Sequence, residues 1–573
     1  MPAKTKETPT VPRPTGELRR VFRRAVAVSA VVLLAATGCT AAPAPAPGTT
    51  APATAQAPAP TEVFNFGTGS DPLGFDPALV SDTESYRVTR QVLEGLLSVD
   101  PVTGAPAPSL ATAWKELDGG LGYSFKLRPD VRFHDGTAFD AQAVCTNFSR
   151  WYTMGPATRG DGSVAMFKQV FRAFSDDAAN SIYQGCAVDG ALEVTLTLKM
   201  PLTGFLQALT LPAFAISSPA ALKAGTANVL DQEFSGNKVS RYGLHPVGTG
   251  PFTFTSASSG ATTMRAYPGY WGTKGQIATL NFKTFEQPET RLAALEDGTL
   301  DGFDPVTPGN FDKLIKGGRQ VLQRDPFSVM YLGLNQKVPV LADLKVREAI
   351  AAAVDKSAIA SNYFIAGTAT TAQFIPPKLS GFNNAVQGIN YDPAKAKKLL
   401  EESSYKGEEL KFYYPTNASR TYLPSPEKVY AQIAAGLTAV GFNIKPVPVP
   451  WSDGYVNAIK TGGDHALSLL GWNGSYADPD NFVGPIFGTP GAELGMDDPQ
   501  LVSKITRARS MPNGPDRVAA YDSISKQLAA TVPAVPIAFP ISAIALSDRV
   551  SSFPLSPVLN EVFNHVVLAP KAG

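Results

Sequence analysis

The residues best suited to holding a small molecule lie in one stretch, Leu467 to Phe482, LSLLGWNGSYADPDNF. Leu467 to Leu470 is an apolar run long enough for a strand buried on both faces. The run then breaks into Gly471, Trp472, Asn473, Gly474 and Ser475, and closes on Tyr476, Asp478, Pro479, Asp480 and Asn481. Backbone laid open at glycine, a ring to stack and polar tips to orient are what a ligand loop needs. The same residues also make an ordinary strand and turn, because Asp-Pro-Asp is good turn chemistry. A second aromatic and polar stretch, Tyr413 to Pro424, reads YYPTNASRTYLP and contributes Arg420 and Tyr422. A third, Gly67 to Pro77, GTGSDPLGFDP, reads as a turn with an exposed aromatic at Phe75.

Bond-making chemistry finds less support. The four histidines, His134, His245, His465 and His565, show no HExxH spacing, and no metal site is expected. No GxSxG elbow and no GxxxxGK[ST] loop occurs, so neither a nucleophile on a strand-to-helix turn nor a phosphate cradle is indicated. No cofactor is implied. A Ser-His-Asp set assembled in space stays open, so a secreted hydrolase on an α/β body remains the competing class to a receptor without chemistry.

At 573 residues the chain exceeds one core, and two to four domains are expected. Hydrophobic content of 44% with 17% charge suits a soluble globular body. The net charge of +1 hides an asymmetry. Seven Lys/Arg against Glu7 and Glu17 precede Cys39, leaving 43 basic against 47 acidic residues in the remainder. That balance offers no basic face for nucleic acid. Arg19, Arg20, Arg23 and Arg24 precede the apolar run Ala25 to Ala36. The run is shorter than the ~20 residues of a spanning helix and reads as a secretory signal, residues 1–38. Ala36, Thr37, Gly38 and Cys39 resemble a bacterial lipoprotein box, with Ala36 where the pattern usually has Leu. Cys39 would be acylated and become the first mature residue. Thr40 to Pro60 is almost wholly Ala, Pro, Thr and Gly, and reads with Cys39 as a disordered spacer, residues 39–61. Cys145 and Cys186 form an even pair in an exported chain, which reads as a disulfide. Two unrelated buried thiols are the alternative.

Several stretches occur in an order that resembles one family: GFDPA (74–78), EGLL (94–97), PSLATAW (108–114), YSFKLRPDVRFHDG (123–136), HPVGTGPFTF (245–254), the pair Tyr270-Trp271, and ETRLAALEDGTLD (289–301). The chain is identified as resembling the family 5 extracellular solute-binding proteins of ABC importers, the oligopeptide and dipeptide binders, from about Glu62 to about Ala569. The resemblance implies an α/β, two-lobed periplasmic-binding-protein-like fold of type II, the large peptide-binder subclass with an extra subdomain in the first lobe. Local patterns agree. Asp392-Pro393 and Ser425-Pro426 read as helix starts and Gly441 as a stop, with strands between helices. Lobe 1 is expected over 62–285, lobe 2 over 286–535 and the return over 536–573. The crossings fall near Leu280–Phe285 and Pro536–Phe539.

The resemblance also implies a ligand trapped between the lobes. Gly471, Trp472, Asp478, Pro479, Asn481 and Phe482 keep the frame of the family's strand-end motif. Peptide binders carry an Asp in its middle, paired with the peptide's α-ammonium; here Ser475 aligns to it. A carboxylate–ammonium contact is worth about 1.5–3 kcal/mol. Its loss implies a ligand that is not a plain free-amine peptide, or an amine read by dipoles and by Asp478. Arg420 falls where dipeptide-type relatives bind the ligand carboxylate, and its fork suits one; a solvated loop Arg is the alternative. A nickel-binding relative makes a metal chelate the runner-up ligand. The implied partners are a permease with its cytoplasmic ATPase and the outer face of the cell membrane, with the chain a monomer. Labelled palmitate should enter the wild type and not Cys39→Ala; equal labelling of both would remove the tether.

Overall fold

The structure, a computed structural model, describes residues 60–570 apart from Ser81, Val102, 160–165, Gly463, Ala492, Pro557 and Leu559. The signal, Cys39 and the spacer up to residue 59 lie outside the described residues.

Two mixed sheets carry the chain. The first has seven strands, in the order Phe252–Ser258, Ala261–Ala266, Ile277–Thr284, Glu62–Thr68, Gly302–Phe303, Ser542–Leu546 and Gln320–Arg324. Glu62–Thr68 runs parallel to Ile277–Thr284 and fully buries Phe64 and Phe66 against Phe282 and Phe563. The second has six strands, in the order Ala369–Thr370, Ala534–Phe539, Ser328–Leu334, Leu467–Asn473, Glu409–Thr416 and Asn443–Pro450. Ser328–Leu334 and Ala534–Phe539 are buried at every residue, as suits strands covered on both faces. Leu467–Asn473 lies beside them, with Ser328 opposite Asn473 and Met330 opposite Gly471.

The chain passes from the first sheet to the second between Arg324 and Ser328, and returns between Phe539 and Ser542. The first crossing therefore does not fall at Leu280–Phe285. Ile277–Thr284 pairs within the first sheet, and the helix Pro288–Glu296 leads back to that sheet through Gly302–Phe303, parallel to Glu62–Thr68. A helix that crosses to a parallel strand has the same periodicity whichever sheet receives it, so the pattern alone did not separate the two routes. Residues 536–539 likewise finish a strand of the second sheet before the return.

A four-stranded antiparallel sheet, ordered Ala111–Leu117, Gly122–Leu127, Glu193–Leu198 and Tyr183–Gly190, forms a further body inserted in the first half. It has its own aromatic core, including Phe125, Phe148, Trp151, Phe171, Phe205 and Phe214. The disulfide Cys145–Cys186 staples its helix Ala141–Tyr152 to the strand Tyr183–Gly190. Closing that loop constrains the unfolded chain by about 4 kcal/mol in the entropic account. Asp392 caps its helix through Lys395 N, whereas Ser425 stands at the cap position without a side-chain bond. Gly441 ends the helix Pro426–Val440 at φ 112°, a left-handed turn where a side chain would be strained. Among the described residues no helix is long and apolar enough to cross a membrane.

Three of the stretches that carried the family resemblance meet at Glu94. Its carboxylate accepts hydrogen bonds from Thr249 Oγ1 at 2.7 Å, Trp271 Nε1 at 2.7 Å and Tyr270 Oη at 3.0 Å. The Arg128 guanidinium lies over the Trp271 ring at 4.2 Å. The glycines of the GTG turn are set by close approach: a Cβ on Gly248 would stand 2.3 Å from Val92 O, and one on Gly250 2.7 Å from Gln91 O. Burial raises the Glu94 carboxyl to about 7, against the pull of its three donors and Arg128. A folded pKa above the unfolded value means that the folded state binds more protons between about pH 4.5 and 7. Stability from this group therefore grows as pH falls through 7 and is lost as pH rises through it. The expected swing is roughly 2 kcal/mol, after allowance for partial exposure. Urea unfolding of wild type and Glu94→Gln between pH 5 and 8 checks it: the wild type should lose ground to the variant as pH rises, and a constant difference would exclude the linkage.

Candidate functional site

The strand Leu467–Asn473 delivers its last residues to the junction of the two halves. Gly471 is required there, since a Cβ would stand 2.3 Å from the Tyr422 ring and 2.7 Å from Val329 O. Gly474 is required for the same reason: a Cβ would meet both Phe327 and Phe482 at 2.4 Å. Those two rings meet edge-on at 5.3 Å, and Phe327 sits on the first crossing. So the glycine spacing brings the strand end against Tyr422 on one side and the hinge on the other.

Beyond Gly474 the loop is braced from within. Asn481 Oδ1 accepts from Ser475 N at 2.7 Å, and Asp478 Oδ1 accepts from Asp480 N at 2.8 Å. Asp478 also pairs with Arg517 Nη2 at 2.9 Å, and Asp480 with Arg509 at 3.1 Å. Asp478 is only 2% exposed. It is thus a brace for the loop and not an available anion, which corrects its place among the candidate ligand groups. Tyr476 is buried too, its ring joined to the aromatic core of the inserted body across the junction. Burial pushes its phenol well above the usual range.

Phe75 is the clearest correction. The turn that carries it folds back on the first half, and its ring is wholly buried, 5.1 Å from Phe234 and 4.8 Å from Phe254. Phe75 N donates to Gly243 O at 2.9 Å, and Asp76 beside it is held by Arg150 at 2.5 Å. Its neighbours are apolar and distant in sequence, so the Gly/Pro/Asp setting suggested an exposure that the fold removes.

Arg420 and Tyr422 come from a tight turn closed by the pairing of Arg420 with Leu423. Tyr422 is buried beneath Gly471, and burial pushes its phenol up to about 12. The Arg420 guanidinium lies over the Trp451 ring at 4.1 Å, a cation–π contact that fixes its plane. It borders a narrow crevice between the halves, whose other walls include Val306 and Thr307 of the first half and Ile541 and Ser542 at the return crossing.

Several buried polar atoms around this junction lack a hydrogen-bond partner. From the second half they include Arg420 Nε, Trp472 Nε1 and Asn473 Oδ1, and on the loop itself Asp480 Oδ1 and Asn481 Nδ2. From the first half they are Asp82 Oδ2 and Tyr86 Oη, one turn apart at the start of the helix Thr83–Val92. Asp82 caps that helix, its Oδ1 accepting from Ser85 N at 2.8 Å. Burial raises the Asp82 carboxyl; its bonds to Ser85 and the charge of Arg420 across the junction oppose that rise. Burial also pushes the Tyr86 phenol far above its usual range, and the Asp82 charge adds to that rise. Gly471, packed on Tyr422, thus brings the strand end that carries Trp472 and Asn473 against the turn that carries Arg420. Ser475 is half-buried on the same loop, and Phe75 and Asp478 belong elsewhere.

Asp82, Tyr86 and Trp451 were not singled out by sequence. Asp82 has the signature of a helix cap, and that role hides a second carboxylate oxygen. Tyr86 stands where an aromatic ring reads as part of the apolar face of its helix. Trp451 follows a Pro/Val alternation that signals only a strand end. The remaining acids near the junction are engaged. Asp304 Oδ2 accepts from Arg87 Nη2 at 2.7 Å and Arg324 Nη2 at 3.0 Å, Glu561 accepts from Arg324 Nε at 2.8 Å, and Glu84 from Arg87 Nε at 2.8 Å.

Comparison with known proteins fits this architecture. The family described as "Bacterial extracellular solute-binding proteins, family 5 Middle" matches residues 105–493. Heme-binding protein A of Haemophilus influenzae is 27% identical over 527 residues, covering 87% of this chain and 91% of that protein. The dipeptide-binding protein of Escherichia coli is 28% identical over 516 residues, covering 86% and 92%. The structure of the ABC transporter-associated periplasmic binding protein DppA from Helicobacter pylori, in complex with peptide STSA, superposes with a TM-score of 0.76 at 24% identity, covering 88% of this chain and 98% of that one. Over two thirds of its length, and with the two-sheet fold to match, the chain belongs to family 5 of the bacterial extracellular solute-binding proteins.

Proposed function

We propose that the chain captures a peptide or peptide-like solute at the junction of its halves and delivers it unaltered to the permease of an ABC importer. The observation that carries this reading is a set of unpartnered buried polar atoms contributed by both halves: Asp82 Oδ2 and Tyr86 Oη from the first, and Arg420 Nε, Trp472 Nε1 and Asn473 Oδ1 from the second. Leaving such atoms unpaired costs about 1–3 kcal/mol each, and a solute that meets them on both faces recovers that cost only when the halves are together. Binding and closure are then one event. The relatives named for dipeptides and the fold shared with a peptide complex support the ligand class. A second reading, a chelated metal or porphyrin in the same role, is favoured by the Haemophilus relative named for heme.

The wider organisation belongs to the same proposal. Residues 1–38 direct export, Cys39 carries the lipid, and the spacer to residue 61 holds the receptor off the outer face of the cell membrane. Arg420, stacked on Trp451, takes the acidic end of the solute.

Mass spectrometry of small molecules released by denaturing the purified protein tests the ligand class. Short peptides are expected; a porphyrin or metal chelate alone would replace the peptide reading. Peptides added back should raise the melting temperature and be recovered intact, and cleaved peptide would mean a hydrolase. Arg420→Ala should weaken binding of an acid-ended peptide about tenfold or more while leaving the melting temperature of the free protein within a degree or two. Calorimetric titration reads the first and a thermal melt the second; an unchanged affinity excludes Arg420 from the site.

A further inference from the structure

We infer that the inserted body is a clasp, which holds the second half against the first through bonds in which no solute takes part. The inference goes beyond the reading of the chain as a receptor, since it concerns the two halves and not the cargo.

Arg509 is the central side chain, in the last turn of the helix Pro499–Ser510 of the second half. Its Nη2 donates to the carbonyls of Gln169 and Val170, at 3.0 and 3.1 Å, in the helix Met166–Phe171 of the inserted body. Its Nε lies 3.1 Å from Asp480 on the loop after Leu467–Asn473. One guanidinium thus joins that loop to backbone 340 residues earlier in the chain. A second attachment needs no charge. Thr203 N donates to Arg509 O at 3.2 Å, and Thr203 Oγ1 donates to Met511 O. Gln169, Val170 and Arg509 each stand in the last turn of a helix, where a carbonyl has no partner within the helix. Each half therefore completes a helix end of the other.

The backbones are also built to come close. A Cβ on Gly204 of the inserted body would stand 3.3 Å from the Asp478 carboxylate and 3.4 Å from the Tyr476 ring, both of the second half. The φ of Gly204 is −81°, open to any residue, so a side chain there would disturb the opposite half and not its own backbone. Tyr476 itself is 6% exposed, with its ring in the aromatic core of the inserted body.

None of these residues lines the crevice beside Arg420, and none lies on either crossing. Their bonds form whenever the halves meet, whatever the crevice holds. The clasp therefore favours the closed arrangement equally with and without a solute. Loosening it lowers the fraction of closed molecules and weakens every solute by the same factor.

Pulsed electron–electron distance measurements test the clasp on the full chain in a Cys39→Ala background, freed of small molecules by unfolding, dialysis and refolding. Spin labels are carried by Val188→Cys on the inserted body and Val518→Cys on the second half, both exposed positions. The otherwise unsubstituted chain should show one narrow distance for most molecules. Thr203→Val deletes one donor and keeps the side chain's shape; it should cut the ratio of closed to open molecules about fivefold. Gly204→Leu drives a side chain into the space of Asp478 and Tyr476 and should make a longer distance predominant. Circular dichroism and the Cys145–Cys186 link should be unchanged in both. An unsubstituted chain that stands open when stripped overturns the inference, and so does an unaltered distance distribution in either variant. If Gly204→Leu does not fold, the ratio in Thr203→Val decides alone. None of these outcomes depends on which solute the chain takes.

Discussion

Asp304 is 4% exposed and sits between two guanidiniums, Arg87 and Arg324, each at hydrogen-bond distance from its Oδ2. Burial alone would raise its carboxyl; Arg324 and Arg87 reverse that and hold it at about 2. The network runs on to Glu561 through Arg324 and to Glu84 through Arg87. Burying one charge without a partner costs several kcal/mol, and removing one member of such a set typically costs about 3–5 kcal/mol. The set therefore enforces geometry more than it adds stability. It ties together the helix Thr83–Val92, the turn after Gly302–Phe303, the end of Gln320–Arg324 and the C-terminal segment around Glu561. The rest of the junction is placed by it. Arg324 is the last residue before the first crossing, Pro305, Val306 and Thr307 of the crevice wall follow Asp304, and Glu84 and Arg87 lie in the first turns of the helix that Asp82 caps, with Tyr86 between them.

A second set of contacts holds the halves together away from the hinge. Tyr476 inserts its ring into the aromatic core of the inserted body, and Asp478 lies against Gly204. Arg509 Nη2 donates to the carbonyls of Gln169 and Val170 at 3.0 and 3.1 Å, while Thr203 bonds through its amide to Arg509 O at 3.2 Å and through its hydroxyl to Met511 O. The same Arg509 pairs with Asp480. The acidic tail of the loop after Leu467–Asn473 is thus engaged in bracing that loop against the opposite half. This explains why Asp478, which a reading of charges alone offers as a ligand group, and Asp480 beside it are paired within the protein. Their cations are internal, and their position at the junction comes from closure.

Much of the fold was legible in the chain because it rests on local patterns. The run Leu467–Leu470, the Asp392-Pro393 start and the Gly441 stop each follow from a rule of a few residues, and each element forms where expected. The first crossing was misplaced because the destination of a strand is a long-range matter; Pro288–Glu296 looks the same whether the next strand joins the old sheet or a new one. Phe75 and Asp478 were misread for one reason. Exposure and ion pairing depend on residues far away, Phe254 in one case and Arg517 in the other, and nothing adjacent announces them. Asp82 was missed because the local role it does play, capping a helix, is a sufficient explanation of an Asp at that position.

The cluster at Glu94 and the unpartnered atoms at the junction are different sets. Glu94, Thr249, Tyr270 and Trp271 satisfy one another, and Gly248 and Gly250 permit backbone approach. All of that is internal to the first half and says nothing about cargo. Asp82, Tyr86, Arg420, Trp472 and Asn473 have unmet polar atoms, and none of these five belongs to that internal cluster. A substitution among the first set disturbs packing whatever the ligand; a substitution among the second changes which solute restores the missing bonds. Relatives named for dipeptides and for heme match the chain over about nine tenths of their own length, so the fold alone does not name the cargo.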